Sequence, residues 1–199
     1  LNDEHRSRTT TPPCAWLPGM TYQPTTPDSP RWLHVLAVLT VVLFALPLVF
    51  LGAAVTSHDV GMVDPIGFRS PIVIVRGLLL DNGLGWTLEY GHRTFGFVVG
   101  GCGILLAVGC WFFDRRGWMG MLGFAALGMI VIQGLLGIFR VDYNALHGRT
   151  YAMIHGGFAH LVFATLVLLA LFTSRRWLAF ARPEASSRAV RIGAIATAG

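Results

Sequence analysis

Charge is scarce in this sequence. Of its 199 residues only 13% are charged, about half the ~25% carried by an ordinary soluble domain. That shortage excludes a soluble globular protein of the usual kind. Lysine is missing altogether, so all 15 basic residues are Arg. Genome composition alone produces such a bias, and it carries no functional weight here. The net charge of +5 is not gathered on one face. The arginines flank apolar blocks, which excludes a nucleic-acid partner and points to membrane orientation instead. Cysteine is nearly absent too. Cys14 lies in a polar, Pro-rich stretch, and Cys102 and Cys110 fall inside an apolar run where they read as packing residues. With no CxxC pair, a redox dithiol and a zinc site are both excluded.

What is abundant is apolar sequence, 54% of the chain, and it falls in blocks. The first 30 residues, with TTTPPCAWLPGMTYQPTTPDSP, read as a disordered polar tail. Four apolar blocks follow, at 33–56, 90–113, 118–141 and 151–173. Each has the ~20 residues that a helix needs to cross the hydrocarbon core. Arg31, the pair Arg115 and Arg116, and Arg175, Arg176 and Arg182 all belong on one side of such a bundle, and the positive-inside rule makes that side the cytoplasm. The expected fold is therefore an all-α integral membrane protein, a four-transmembrane-helix bundle with both termini cytoplasmic. It divides into the tail (1–30), the transmembrane domain (31–175), and a stretch over 176–199 that reads as a cytoplasmic linker and the start of a further membrane segment. Within the 57–89 outer loop, PIVIVRGLLL suits a short helix on the membrane surface. Gly96 and Gly100 give helix two a GxxxG spacing, whose natural reading is close helix packing. The chain starts at Leu1 and stops inside the apolar RIGAIATAG, and so reads as part of a longer protein. Its first apolar block starts late and is long enough to span, unlike a cleavable signal.

Topology sorts the seven histidines. His92 falls near the outer end of helix two, and His155 in the first turns of helix four, also at the outer end. His160 is about 7.5 Å deeper than His155 and about 140° around the same helix, a spacing that disfavours a non-haem metal held by both. His34 belongs at the cytoplasmic end, His58 and His147 in outer loops, and His5 in the tail. Two facing neutral histidines at one depth can hold a haem iron from both sides, and a flat apolar haem fits between the helices of a bundle. Its anionic propionates need cationic or polar partners. Arg93 and Arg140 are expected at that level, with Gln133 two turns deeper on the face of Arg140. Plainer readings stand beside these. An intramembrane His is often satisfied by a nearby carbonyl, and the arginines can simply snorkel to the interface. Glu89, one turn before His92, is either a helix-end charge paired with Arg93 or a carboxylate at the edge of whatever His92 binds.

A family resemblance enters on these residues. LEYGHRTFG resembles the Glu-x-x-His-Arg motif opening the second helix of the haem A synthase family. FLGAAVTSHDVGM, VIQGLLGIFRV and AMIHGGFAHLVFATLVLL resemble the end of its first helix, its third helix and its fourth helix. The resemblance covers residues 45–175 and involves only the N-terminal half of a protein that usually has eight helices in two pseudo-symmetric halves. It implies that His92 and His155 are the axial ligands of a haem iron and that Glu89 is the functionally required carboxylate. It further implies haem O as substrate and haem A as product, in an inner (plasma) membrane protein with its haem near the extracytoplasmic side. A haem b belongs to the other half. The implied partners are the lipid bilayer, haem O synthase, and either a second copy or the missing half. The outer loop holds no cysteine and its GMVDPIGFRSP lacks the family's tryptophan, so the resemblance is to the cysteine-less type.

The implied reaction oxidises a porphyrin methyl to a formyl group. With both axial positions of the iron taken, oxygen insertion there is disfavoured. Withdrawing electrons and adding water at the methyl carbon fits better, with a carboxylate such as Glu89 beside it to stabilise positive charge or take a proton. Two other classes account for the same histidines: a non-catalytic b-type cytochrome subunit that relays electrons, and a cofactor-free structural or transport bundle.

Overall fold

The computed structural model describes residues 29–80 and 83–180, and all regular structure among them is helical. Most of the expected tail and of the expected 176–199 linker lies outside the described residues. Four helices are long and apolar enough to cross a membrane. The first span, Arg31–Ser57, is built from α1 (Arg31–Leu39), a π-helical segment (Thr40–Ala45) and α2 (Leu46–Ser57). Its π segment sits just before Pro47. Proline has no N–H to donate and its ring crowds the carbonyl four residues back, so a wider turn there relieves the clash. The 57–89 connection contains the expected short helix, α3 (Pro71–Leu80). The second, third and fourth spans are α4 (Leu84–Phe113), α5 (Gly117–Asp142) and α6 (Asn144–Phe172), and the short α7 (Arg175–Phe180) follows.

Two helix starts differ from the sequence reading. α4 begins six residues before the expected 90, because the polar residues of LGWTLE continue the helix, and Thr87 closes its first turn onto the carbonyl of Gly83. Glu89 is therefore in the second turn and not at the helix start. The expected 142–150 loop is largely helical. Only Tyr143 separates α5 from α6, and α6 bends at His147, whose φ of −143° is not helical. Charge and glycine made both stretches look like loops, whereas their backbone hydrogen bonds continue into the helices.

Short links make consecutive spans antiparallel neighbours. α4 packs on α5 and α5 on α6, while the first span closes the bundle against α4 and α6. The buried centre includes Leu33, Val99, Leu106, Met119, Leu166 and Leu169. Large apolar side chains such as Phe50, Trp111, Phe112 and Leu161 face outward, which suits lipid. At the Arg31 end, His34 Nδ1 lies 3.1 Å from the Ala170 carbonyl and 3.3 Å from Thr173 Oγ1, tying the first span to the fourth.

Packing differs between the two halves of the α4–α5 pair. A Cβ placed on Gly103 would stand 2.7 Å from Ile130 Cδ1, and one on Gly123 would stand 3.1 Å from the Ala107 Cα, so the two helices touch in the half nearer Arg31. Gly96 shares the face of Gly103, seven residues away. Yet nothing lies within 4 Å of a Cβ at Gly96, at Gly100, or at Gly134 on α5. The GxxxG pair expected to close a helix contact instead borders open space.

Candidate functional site

The open half of the bundle is where the two histidines meet. His92 of α4 and His155 of α6 face each other with ring centroids 6.3 Å apart and planes inclined by 70°. Two metal–nitrogen bonds of about 2 Å and two half-rings of about 1 Å add up to about 6 Å, so one metal ion between them is within reach of both. Among the described residues no third His, Cys, Asp or Glu joins them to form a three-ligand set.

Each ring rests on a glycine of the preceding span. A Cβ at Gly52 would lie 2.9 Å from His92 Cε1, and one at Gly137 would lie 3.3 Å from His155 Cε1. His92 Nδ1 is 3.2 Å from the Leu48 carbonyl. That contact fixes the tautomer with its proton on Nδ1 and leaves Nε2 as the lone-pair nitrogen. His155 is held differently. Gln133 Nε2 lies 3.2 Å from both ring nitrogens and donates to the His155 carbonyl at 3.1 Å, while Gln133 Oε1 is buried without a hydrogen-bond partner. His160 is exposed and is bonded to its own helix, with Nδ1 2.8 Å from the Gly156 carbonyl.

The glycine contact makes a stability prediction. Gly52→Ala is expected to destabilise the protein by about 1–3 kcal/mol, the usual penalty for overpacking. Gly96→Ala is expected to be neutral or to stabilise by up to about 1 kcal/mol, because Ala is the better helix former and meets nothing there. Thermal melting of the two variants in one detergent checks the contrast, and equal melting temperatures would contradict it.

Glu89 and Arg93 belong to a network beside the pair. Glu89 is 3% exposed. Its Oε1 is paired with Arg93 Nη2, and its Oε2 accepts the Asp64 N–H at 3.1 Å. Arg93 also donates to the carbonyls of Ile66, at 2.9 Å, and Asp64, at 3.3 Å. Both side chains are thus committed to the loop over 58–70. The keystone of that loop is Asp64, which is fully buried. It takes a forked pair of bonds from Arg69 at 2.8 and 3.1 Å, the Tyr90 hydroxyl at 3.0 Å and the Ile66 N–H at 3.1 Å. Sequence reading missed Asp64, Arg69 and Tyr90, because their partners are up to 26 residues apart. The Asp–Pro turn signal in GMVDPIGFRSP was the only available hint.

Burial pushes the Asp64 carboxyl up, but the Arg69 fork, the Ile66 N–H and the Tyr90 hydroxyl outweigh it and bring it down from 3.8 to about 2. A carboxylate with a lower pKa in the fold than in the unfolded chain contributes stability above pH 3.8, and this fades as pH falls towards 2. Peptic cleavage within 58–70, normalised to a free peptide of the same sequence, is therefore expected to be slow at pH 4 and to rise steeply towards pH 2. Equal rates at both values would show that Asp64 does not hold the loop.

Arg140, in the last turn of α5, contrasts with Arg93. It makes no hydrogen bond or ion pair with the described residues. Its charge is nonetheless close enough to act on both histidines and on Glu89. The arrangement thus comprises two facing imidazoles, one of them with a free lone pair, a guanidinium without a hydrogen-bond or ion-pair partner among the described residues, and open space along Gly96 and Gly100. The two imidazoles are spaced so that one metal ion between them is within reach of both. Comparison with family models, with curated proteins and with solved structures yields no match.

Proposed function

We propose that this chain holds a haem between His92 and His155 and oxidises a haem O methyl group to a formyl group, as the substrate half of a haem A synthase-type membrane enzyme. The observation that carries the reading is the pair of rings 6.3 Å apart, each on its own glycine, with His92 Nε2 left free by the Leu48 contact. The spacing and the open α4–α5 face fit a haem, and the donor set, two imidazoles and no thiolate, suits bis-histidine ligation. His92 and His155 would be the ligands. Arg140, with its donors unspent, is the better partner for a propionate; Arg93 is already taken by Glu89 and the loop carbonyls. Gln133, which now lies against both His155 ring nitrogens, would have to leave the one that held iron, and its Oε1 has no hydrogen-bond partner to give up.

Bound there, the haem would be the substrate, and the four electrons lost from its methyl carbon would pass to an external electron acceptor, with water supplying the formyl oxygen. Glu89 would hold negative charge beside that carbon and accept a proton as water adds. Arg93 would keep that carboxylate ionised and oriented. The site would face the extracytoplasmic side of the inner membrane, with the Arg31 end in the cytoplasm. Glu89→Gln is expected to retain haem but to stop haem A formation, and wild-type haem A content in that variant would remove Glu89 from the chemistry.

A second reading has one specific observation in its favour. Both Glu89 oxygens are already engaged, with Arg93 and the Asp64 N–H, as expected of a structural carboxylate in a b-type cytochrome that only relays electrons. Pigment extraction from the purified protein decides between them. Haem O or haem A supports the synthase, haem b alone supports the relay, and a colourless protein refutes both.

A further inference from the structure

α3 (Pro71–Leu80) is apolar on every side, and Arg76 is its one charged residue. A helix lying in water keeps an apolar stripe against the protein and turns polar residues outward. α3 spends a single edge on the protein. Ile74 is buried, and a Cβ at Gly77 would stand 3.1 Å from the Tyr90 ring of α4. On the side away from that edge Ile72 and Leu79 are 81% and 74% exposed, with Val75 and Arg76 exposed beside them. Composition alone suggests a surface helix here, and the structure shows which of its faces is left free.

The place of α3 in the fold decides what meets that face. Among the described helices it packs against α4 and against no other, so it lies along the flank of the bundle and not across its end. Its seat on α4 is Tyr90, which shares a helical face with Phe97 and Ile104 at seven-residue steps. Phe97 and Ile104 are exposed on a span apolar enough to cross a membrane. α3 therefore covers the histidine-end part of a stripe that faces lipid further in, and its free face carries that stripe on. Both chain connections hold it at this level, since residues 58–70 lead to it from the end of α2 and α4 begins at Leu84. Residues 1–28 and 181–199 join the described chain at the Arg31 end, a membrane span away. Residues 81 and 82 adjoin α3 but are too few to cover a helix about 15 Å long.

With 10 residues, α3 has about half the length needed to cross the hydrocarbon core, so it cannot be a further span. Arg76, amid the free face, sets its depth, because the stem of an Arg lies along apolar surface while its guanidinium reaches the headgroups. We propose that α3 binds the lipid surface at the histidine end of the bundle, lying flat at the boundary of headgroups and acyl chains with Ile72, Val75 and Leu79 in lipid. This has a consequence for the histidines. Tyr90 is held at that boundary, so His92, two residues or about 3 Å further along α4, lies just beneath it. A ligand there can keep an apolar body in the bilayer and anionic groups at its surface. The inference is independent of the haem reading and stands if that reading fails.

The test is site-directed spin labelling of the full chain in phosphatidylcholine vesicles, with Cys14, Cys102 and Cys110 changed to Ala. One nitroxide at a time is placed at Ile72→Cys or Leu79→Cys, with Phe97→Cys as the reference in lipid and His58→Cys as the reference in water. Collisions with oxygen, which concentrates in lipid, are compared with collisions with a water-soluble nickel chelate. The labels at 72 and 79 are expected to favour oxygen, as at 97, and to lie about 5–10 Å inside the headgroups. The label at 58 is expected to favour the chelate. Ile72 and Leu79 are both exposed, melting in detergent verifies that each variant is folded, and Val75→Cys repeats the measurement if either melts low. Labels at 72 and 79 reached by the chelate as freely as the label at 58 would overturn the proposal, because the face would then lie in water. So would labels reached by neither reagent, since the face would then be covered by protein, a second copy of this chain or another.

Discussion

His92→Ala is expected to lose bound haem almost completely, and His155→Ala to do the same, while His160→Ala keeps wild-type pigment. The three substitutions are alike in chemistry and differ only in geometry. His92 and His155 face each other across 6.3 Å, so under the proposed function deleting either imidazole would remove one of two axial bonds. Partners in the outer shell of a metal are worth about 10–100-fold in affinity, so a direct ligand should cost more than about 100-fold. His160 sits one turn beyond His155 but is exposed and satisfied within its own helix by Gly156. It reports on any general disturbance of α6. Absorption spectra of the three purified variants, taken with extracted pigment, give the measurement. Six-coordinate, low-spin spectra in His92→Ala or His155→Ala would sink the ligand assignment. Loss of pigment from His160→Ala as well would mean that the α6 substitutions act through folding and not through the iron.

That pair of residues was legible in the sequence, and the reason is physical. A membrane fixes the depth of every residue in a span, so two histidines at matching distances from matching ends had to share a level. The four spans were legible for a similar reason, since an apolar run of helical length has few other fates in a chain so poor in charge. The supports of the pair were not legible. Gly52 and Gly137 act by lacking a side chain, against rings 40 and 18 residues away in sequence, and nothing in an apolar run separates them from any other glycine. The GxxxG motif misled for the same reason. Gly96 and Gly103 share a face of α4 but only Gly103 touches α5, and the splay of the two helices is a tertiary fact. The Asp64 clamp was invisible because loop carboxylates are ordinarily solvated. Its burial depends on Arg69, Tyr90 and Arg93 closing over it together.

Arg93 and Arg140 looked interchangeable in sequence, each a cation near the outer end of a span, and opposite results are expected when they are removed. Arg93 is only 13% exposed. It holds Glu89, lies 3.8 Å from Asp64 and carries two loop carbonyls. Without it, Glu89 keeps a single donor, the Asp64 N–H, in a place water does not reach. Leaving one partner of a buried pair uncompensated costs about 3–5 kcal/mol, so Arg93→Ala should lower the melting temperature by roughly 10 °C. Arg93→Lys should recover only part, because an ammonium cannot reproduce the fork that spans Glu89 and the loop. Arg140 makes no hydrogen bond or ion pair with the described residues and only packs its guanidinium against Gly61, so Arg140→Gln should change stability by about 1 kcal/mol at most, well below the loss at Arg93. Its effect should appear in haem retention instead. Losing one charge-assisted contact to a propionate is worth about 1.5–3 kcal/mol, or roughly tenfold and more in affinity. The pair of measurements, melting without haem and haem titration, thus separates scaffold from ligand contact. If Arg140→Gln melted as low as Arg93→Ala while binding haem normally, the two arginines would share one structural role, and the propionate assignment would fall.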